Sequence, residues 1–136
     1  SEAMRLRPPA YATSREVVSP ITLDGRRVPV GAQVIVSPWV TQRDPRWWDA
    51  PLAFDPDRWL PPRSEPRHKG AYFPFGGGTR LCIGEQFAWT EGVLLIATLV
   101  REWRFELTVP PASVRPEAGV TLRPAPGVPV VCRRRP

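Results

Sequence analysis

Apolar residues fall on helical spacings over one long stretch of this chain, residues 84–104. Phe87, Ala88, Glu91, Leu94, Leu95, Thr98 and Leu99 recur at intervals of three and four. Between positions 93 and 100 the pattern is apolar almost all round, which predicts a helix buried on most faces. Elsewhere proline governs the pattern. Nineteen prolines are spread along the chain, dense everywhere except between Pro74 and Pro110. Proline breaks helix interiors and central strands, so only that window can hold a long helix. Residues 1–7 read as the last turns of a helix, stopped by Pro8-Pro9. Residues 17–19, 21–23 and 33–37 read as short strands, and Asp24-Gly25 and Pro29-Val30-Gly31 supply turns for a small antiparallel sheet. Residues 39–48 predict a short helix that ends near Pro51. Residues 50–75 show no period and read as an irregular but packed meander, because Phe54, Trp59, Tyr72 and Phe73 require burial. Residues 104–109, 120–123 and 128–133 read as strands, with Ala125-Pro126-Gly127 turning between the last two. The class is α+β: one long helix, small antiparallel β pieces and a meander.

Composition narrows the function classes. The chain has 136 residues, one domain's worth, and a net charge of +6 carried almost wholly by arginine, Lys69 being the only lysine. A basic balance invites a nucleic-acid reading. The arginines are scattered, however, and only Arg133-Arg134-Arg135 form a run, with no aromatic-basic interleaving. A GC-rich, bacterial coding bias accounts for the arginine, and no nucleic-acid partner is expected. The longest apolar run, Val93-Leu94-Leu95-Ile96-Ala97, is too short to span a bilayer. The expectation is a soluble, cytoplasmic protein, with an anchor on a preceding N-terminal part left open. The chain opens on Ser1 and its only methionine is Met4, so it reads as a piece of something longer or processed. Cys82 and Cys132 form no Cys-x-x-Cys pair, which argues against structural zinc and fits a reducing compartment. His68, in a polar, proline-bounded stretch, reads as a solvated loop residue.

The candidate chemistry lies in Phe75-Gly76-Gly77-Gly78-Thr79-Arg80-Leu81-Cys82-Ile83-Gly84, just ahead of the long helix. The unpaired N–H groups of a helix N-terminus favour an anion, and Arg80 adds positive charge two residues away. A thiolate at Cys82 is therefore plausible chemistry. Gly84 lets something flat approach the backbone, and Gly76, Gly77 and Gly78 permit the bend that presents the sulfur. Three competing readings exist: a buried structural cysteine, a nucleophile with His68 as its base, and a phosphate loop. The last lacks the Gly-Lys-Ser/Thr that should follow. On residue chemistry alone, a metal or haem thiolate and a structural cysteine both stay open.

The spacing Phe75-x-x-Gly78-x-Arg80-x-Cys82-x-Gly84 resembles the haem-binding signature of the cytochrome P450 family. Glu2-Ala3-Met4-Arg5 resembles that family's Glu-x-x-Arg motif. Arg43-Asp44-Pro45 with Trp48, Pro56-Asp57-Arg58-Trp59 and Gln86-Phe87-Ala88 resemble three further segments, in the family's order. Gln42 departs from the histidine that many members carry before Arg-Asp-Pro. The resemblance implies that Cys82 is the axial ligand of haem iron, a thiolate that favours O–O cleavage on the opposite face. It implies that the Ile83 and Gly84 amides tune the sulfur, that Phe75 shields it, and that Arg80 and Arg15 reach haem propionates. It also implies a network of Glu2, Arg5 and Arg58 that locks the meander and shapes the cysteine pocket.

The same resemblance implies a mainly helical parent fold of which this chain is the C-terminal part. Residues 1–7 would end the Glu-x-x-Arg helix, 50–84 form the meander and cysteine loop, 84–104 the long helix, and 104–136 the last strands. The implied function is a haem-thiolate monooxygenase. It would insert one oxygen atom from O2 into a small organic substrate, with electrons from a ferredoxin or flavoprotein reductase. The alternative is a non-catalytic haem-binding fragment or degenerate remnant, and a basic interaction module is a third class. The isolated 136 residues carry no distal helix or substrate cavity of the family's kind and are not expected to oxidise substrate.

Overall fold

The computed structural model describes residues 1–64 and 68–136. Glu65, Pro66 and Arg67, part of the expected meander, lie outside the described residues. The chain divides into two compact units, Ser1–Pro74 and Phe75–Pro136.

The first unit opens with helix α1, Glu2–Leu6, whose C-cap Arg7 donates its N–H to the Ala3 carbonyl. Strand β1, Thr13–Glu16, pairs antiparallel with β4, Gln33–Val36, with Thr13 opposite Val36 and Glu16 opposite Gln33. Between them β2, Ile21–Leu23, and β3, Arg26–Val28, form a hairpin. Its turn places Asp24 at φ 46° and Gly25 at φ 72°, the left-handed pair that a two-residue hairpin requires. The expected strand at 17–19 is displaced to Thr13–Glu16. Those four residues are polar and their faces are largely exposed, so no apolar alternation marks them. Val17 instead ends the ladder, buried, its N–H donated to Ala32 and its carbonyl accepting from Gly31.

The helix expected over 39–48 is only one turn long. Helix α2 spans Pro38–Thr41, with Pro38 at its start and the Ser37 hydroxyl accepting from the Val40 N–H. Pro45 restricts Asp44 and removes a donor, so Asp44 instead closes turns by accepting from Trp47 and Trp48. Farther on, a 3₁₀ turn at Pro56–Trp59 is capped by Asp55, and another at Lys69–Ala71 by His68. His68 is exposed as expected, but it also packs its ring 4.9 Å from that of Trp47. Of the meander aromatics, Trp59 and Tyr72 join Trp48 in one cluster, while Phe54 stays 65% exposed, against expectation. The buried set mixes Leu6, Val17, Trp48 and Ala71 with the polar Glu2, Arg5, Gln42 and Arg58.

In the second unit a 3₁₀ turn, Gly78–Arg80, leads to helix α3, Glu85–Glu102. Glu85 in its first turn and Arg101 in its last complement the helix dipole. Strand β5, Trp103–Leu107, follows directly. Strand β6, Arg115–Ala118, pairs with β7, Leu122–Ala125, and β8, Val130–Arg134, returns to β5. Pro126 and Gly127 fall between β7 and β8 as expected, and those two strands do not pair with each other, because each has another partner. Strand β6 hides in a proline-containing stretch, where Pro116 sits opposite Pro124 in a two-stranded ribbon that is all edge. Nor is α3 buried: none of its described residues is, and Leu94 and Ile96 are each 62% exposed. The two narrow ribbons of this unit offer too little surface to cover an 18-residue helix. Among the described residues, no helix is long and apolar enough to cross a membrane.

Candidate functional site

The cysteine loop is held by its backbone. The Cys82 N–H donates to the Phe75 carbonyl at 3.0 Å, and the Cys82 carbonyl accepts from the Glu85 N–H at 3.3 Å. Between Phe75 and Cys82 the chain reverses through Gly76 at φ 79° and Gly78 at φ 67°, where a side chain would be strained. Leu81 then donates to Gly78, closing the short turn, and Gly84 serves as the N-cap of α3. This geometry leaves the Cys82 thiol free and exposed. It is not packed as a core cysteine. A Cβ built on Gly84 would lie 3.8 Å from Cys82 Sγ, so the glycine keeps the space beside the sulfur open. Arg80 is exposed on the same loop, and Phe75 is half-buried.

Phe75, Gly78, Arg80, Cys82 and Gly84 thus share one loop of the second unit. Arg15 belongs to the first unit, exposed on β1, where its Nη1 donates to Thr13 Oγ1 at 3.1 Å and to the Ser14 carbonyl at 2.8 Å. Cys132 is a second free, exposed thiol, on β8 opposite Phe105.

The first unit gathers Glu2, Arg5 and Arg58 around one carboxylate. Arg5 grips Glu2 with two parallel bonds, Nε to Oε2 at 2.9 Å and Nη2 to Oε1 at 2.8 Å. Arg58 Nε donates to Glu2 Oε1 at 3.1 Å, Trp59 Nε1 to Oε2 at 2.9 Å, and the Asp55 N–H to Oε1 at 3.1 Å. Arg5 also ties α1 to the carbonyls of Gln42, Pro51 and Ala53. The Trp48 ring lies beneath both guanidinium groups, 4.9 Å from Arg5 and 5.9 Å from Arg58. Burial pushes the Glu2 carboxyl up. The bonds from Arg5, Asp55 and Trp59 and the Arg5 charge outweigh it, and hold the group at about 2.

Gln42 is the residue whose importance the sequence understated. It is fully buried. Its Nε2 donates to the Met4 and Arg5 carbonyls at 3.0 and 3.1 Å, and its Oε1 accepts from the Phe73 N–H at 3.1 Å. One side chain therefore joins the end of α1 to the last residues of the meander. Its place immediately before Arg43-Asp44-Pro45 was the available signal. Beside it Arg43 stacks over Trp39 at 3.4 Å and donates to the Trp39 carbonyl. Burial, then the charges of Arg7 and Arg5, push its guanidinium down to about 10, so it stays protonated at neutral pH. A cleft of about 300 Å³ opens along residues 45–49. The arginines on its wall are already engaged, Arg46 by Asp44, Arg58 by Glu2 and Arg63 by Asp55.

A glycine-bent loop that presents one open thiol at the head of a long helix is a candidate thiolate-ligand site. The family model for Cytochrome P450 matches residues 1–130, and the chain belongs to the cytochrome P450 family. Cyclooctatin synthase of Streptomyces melanosporofaciens is 43% identical over 93% of this chain and 27% of its own length. Pentalenene oxygenase of Streptomyces avermitilis is 42% identical over 90% of this chain, again 27% of its own length. The crystal structure of CYP175A1 from Thermus thermophillus superposes with a TM-score of 0.82 at 41% identity, covering 97% of this chain and 32% of that one. Retinoic acid bound cyanobacterial CYP120A1 gives a TM-score of 0.90 at 29% identity, over 98% of this chain and 31% of its own. The chain thus spans between a quarter and a third of the length of these relatives.

Proposed function

We propose that Cys82 would hold a haem iron through its sulfur and that the chain is the C-terminal portion of a haem-thiolate monooxygenase. It would insert one oxygen atom from O2 into a small organic substrate. The observation that carries this reading is the exposed Cys82 thiol on its glycine loop, with Gly84 leaving the space beside the sulfur unfilled. That donor fits haem iron: a single soft anionic ligand with room at its side for a flat group. When bound, haem supplies a redox-active iron whose electron density a thiolate donor raises. The chain's own residues have distinct tasks. Cys82 would hold the iron, with the Ile83 and Gly84 amides as donors toward the sulfur. Arg80, exposed on the loop, would pair with a propionate, and Arg15 is a second candidate for that task. Phe75 would shield the ligand. Glu2, Arg5 and Arg58 would fasten α1 to the meander that leads into the cysteine loop.

Membership of the family and the oxygenase name of one relative support the reaction class. On this reading residues 1–136 are the C-terminal haem-binding part of a mainly helical domain, and a ferredoxin or flavoprotein reductase delivers the electrons. The test is a haem titration followed by the spectrum of the reduced carbon-monoxide complex. The wild-type protein and Cys132→Ser should both give the band of a thiolate-ligated haem, and Cys82→Ser should not. An unchanged spectrum in Cys82→Ser would refute the ligand assignment.

A further inference from the structure

The bonds that place Cys82 run through its neighbours' backbones, one to Phe75 and one to Glu85. The intervening loop is built largely of glycine, Gly76, Gly77 and Gly78, and glycine restrains the chain least of all residues. Something else must keep Phe75 in place if the sulfur is to have a fixed position. The Phe75 ring meets Trp89 edge to face, with centroids 5.8 Å apart and planes inclined at 61°. Trp89 lies one helical turn beyond Glu85, on the same side of α3. Its indole Nε1 donates a long 3.4 Å bond to Glu85 Oε1. Both rings are half-buried, whereas Leu81, Ile83 and Phe87 nearby are exposed. The contact thus closes a ring of residues: Cys82 to Phe75 by backbone, Phe75 to Trp89 by stacking, and Trp89 to Glu85 by its N–H. Glu85 completes the ring back to Cys82 by backbone.

We propose that Trp89 is a positioning residue for Cys82, clamping Phe75 to the first turns of α3 and so fixing the loop that presents the thiol. The proposal rests on the reading of Cys82 as a haem ligand for its consequence, but not for its geometry. Trp89 would act through Phe75, without touching the sulfur.

Two measurements on the full chain test it. In the haem-free protein, hydrogen exchange at the Cys82 amide, which donates to the Phe75 carbonyl, is compared with exchange at the Val17 amide, which donates to the Ala32 carbonyl in the first unit. Trp89→Leu should raise the ratio roughly two- to tenfold, the range an edge-to-face aromatic pair can shift an open–closed equilibrium. Trp89→Phe, which keeps an aromatic edge, should stay near wild type. Phe75→Leu combined with Trp89→Leu should be no worse than either alone, because the two act as one contact. General unfolding would instead raise exchange at both amides, with no rescue by phenylalanine and no coupling to Phe75, and would overturn the proposal. In the haem-loaded protein, Trp89→Leu should lower the fraction of the reduced carbon-monoxide complex that carries the thiolate band. A wild-type protein with no thiolate band would sink the haem reading, while the exchange ratio would still judge the clamp. A wild-type ratio in Trp89→Leu would overturn the clamp, whatever the haem spectrum shows.

Discussion

At the residue scale, Glu2 is where the first unit is most sensitive. Its buried carboxylate is held by Arg5, Arg58, Trp59 and the Asp55 amide together. Replacing a whole buried ion pair by apolar groups can be neutral, but removing one partner leaves the others' charges unpaired. Glu2→Gln should therefore destabilise the protein by about 3 kcal/mol, read from urea unfolding at pH 7. The same group sets an acid limit. Its folded value, about 2, lies below the usual 4.5. The stabilisation is thus complete above pH 4.5 and is lost as pH falls toward 2. The difference corresponds to roughly 3 kcal/mol. Unfolding midpoints measured down this range should fall steeply for the wild type and weakly for Glu2→Gln. Parallel acid profiles for the two proteins would contradict the role given to Glu2. Gln42→Ala leaves the Phe73 N–H and the Met4 and Arg5 carbonyls without their side-chain partner, and should cost roughly 2 kcal/mol in a denaturant titration.

At the element scale, the cysteine loop makes a sharp prediction because its glycines differ in conformation. Gly78 has φ 67° and nothing within 4 Å of an added Cβ, so Gly78→Ala should cost about 1 kcal/mol through backbone strain alone. Gly77, extended at φ −170° and equally open, should accept alanine with little change. A denaturant series on the pair checks the contrast. The elements legible in the sequence were those with local signals. Asp24-Gly25 marked the turn that follows β2, though not strand β3, Arg26–Val28, on its far side, and the proline-free window marked α3. Strands β1 and β6 escaped because Thr13–Glu16 and Arg115–Ala118 carry no apolar alternation, and Pro116 argues against a strand. The length of α2 was misread because the aromatic run Trp39 to Trp48 looked helical, while Pro45 forbade the continuation. The Glu2–Arg5 pair could be seen in its spacing of three. The reach of Gln42 to Phe73 and the Phe75–Trp89 contact are tertiary, and no single-residue signal encodes them.

At the scale of the whole molecule, α3 stands out by what it leaves uncovered. Phe87, Val93, Leu94, Leu95 and Ile96 are all exposed, far beyond the scattered apolar surface of a typical soluble domain. The chain spans only between a quarter and a third of its relatives' length. The 136-residue chain by itself should bind a hydrophobic dye and self-associate, which sedimentation velocity would show as concentration-dependent species. A monodisperse, dye-silent monomer would argue that the helix is covered in solution. The central claim concerns one bond, from the sulfur at position 82 to porphyrin-held iron, and iron X-ray absorption on the haem-loaded protein reads that bond directly. The expected result is one sulfur neighbour at bonding distance in the wild type and in Cys132→Ser, replaced by a lighter atom in Cys82→Ser. Only nitrogen or oxygen around the wild-type iron would contradict it.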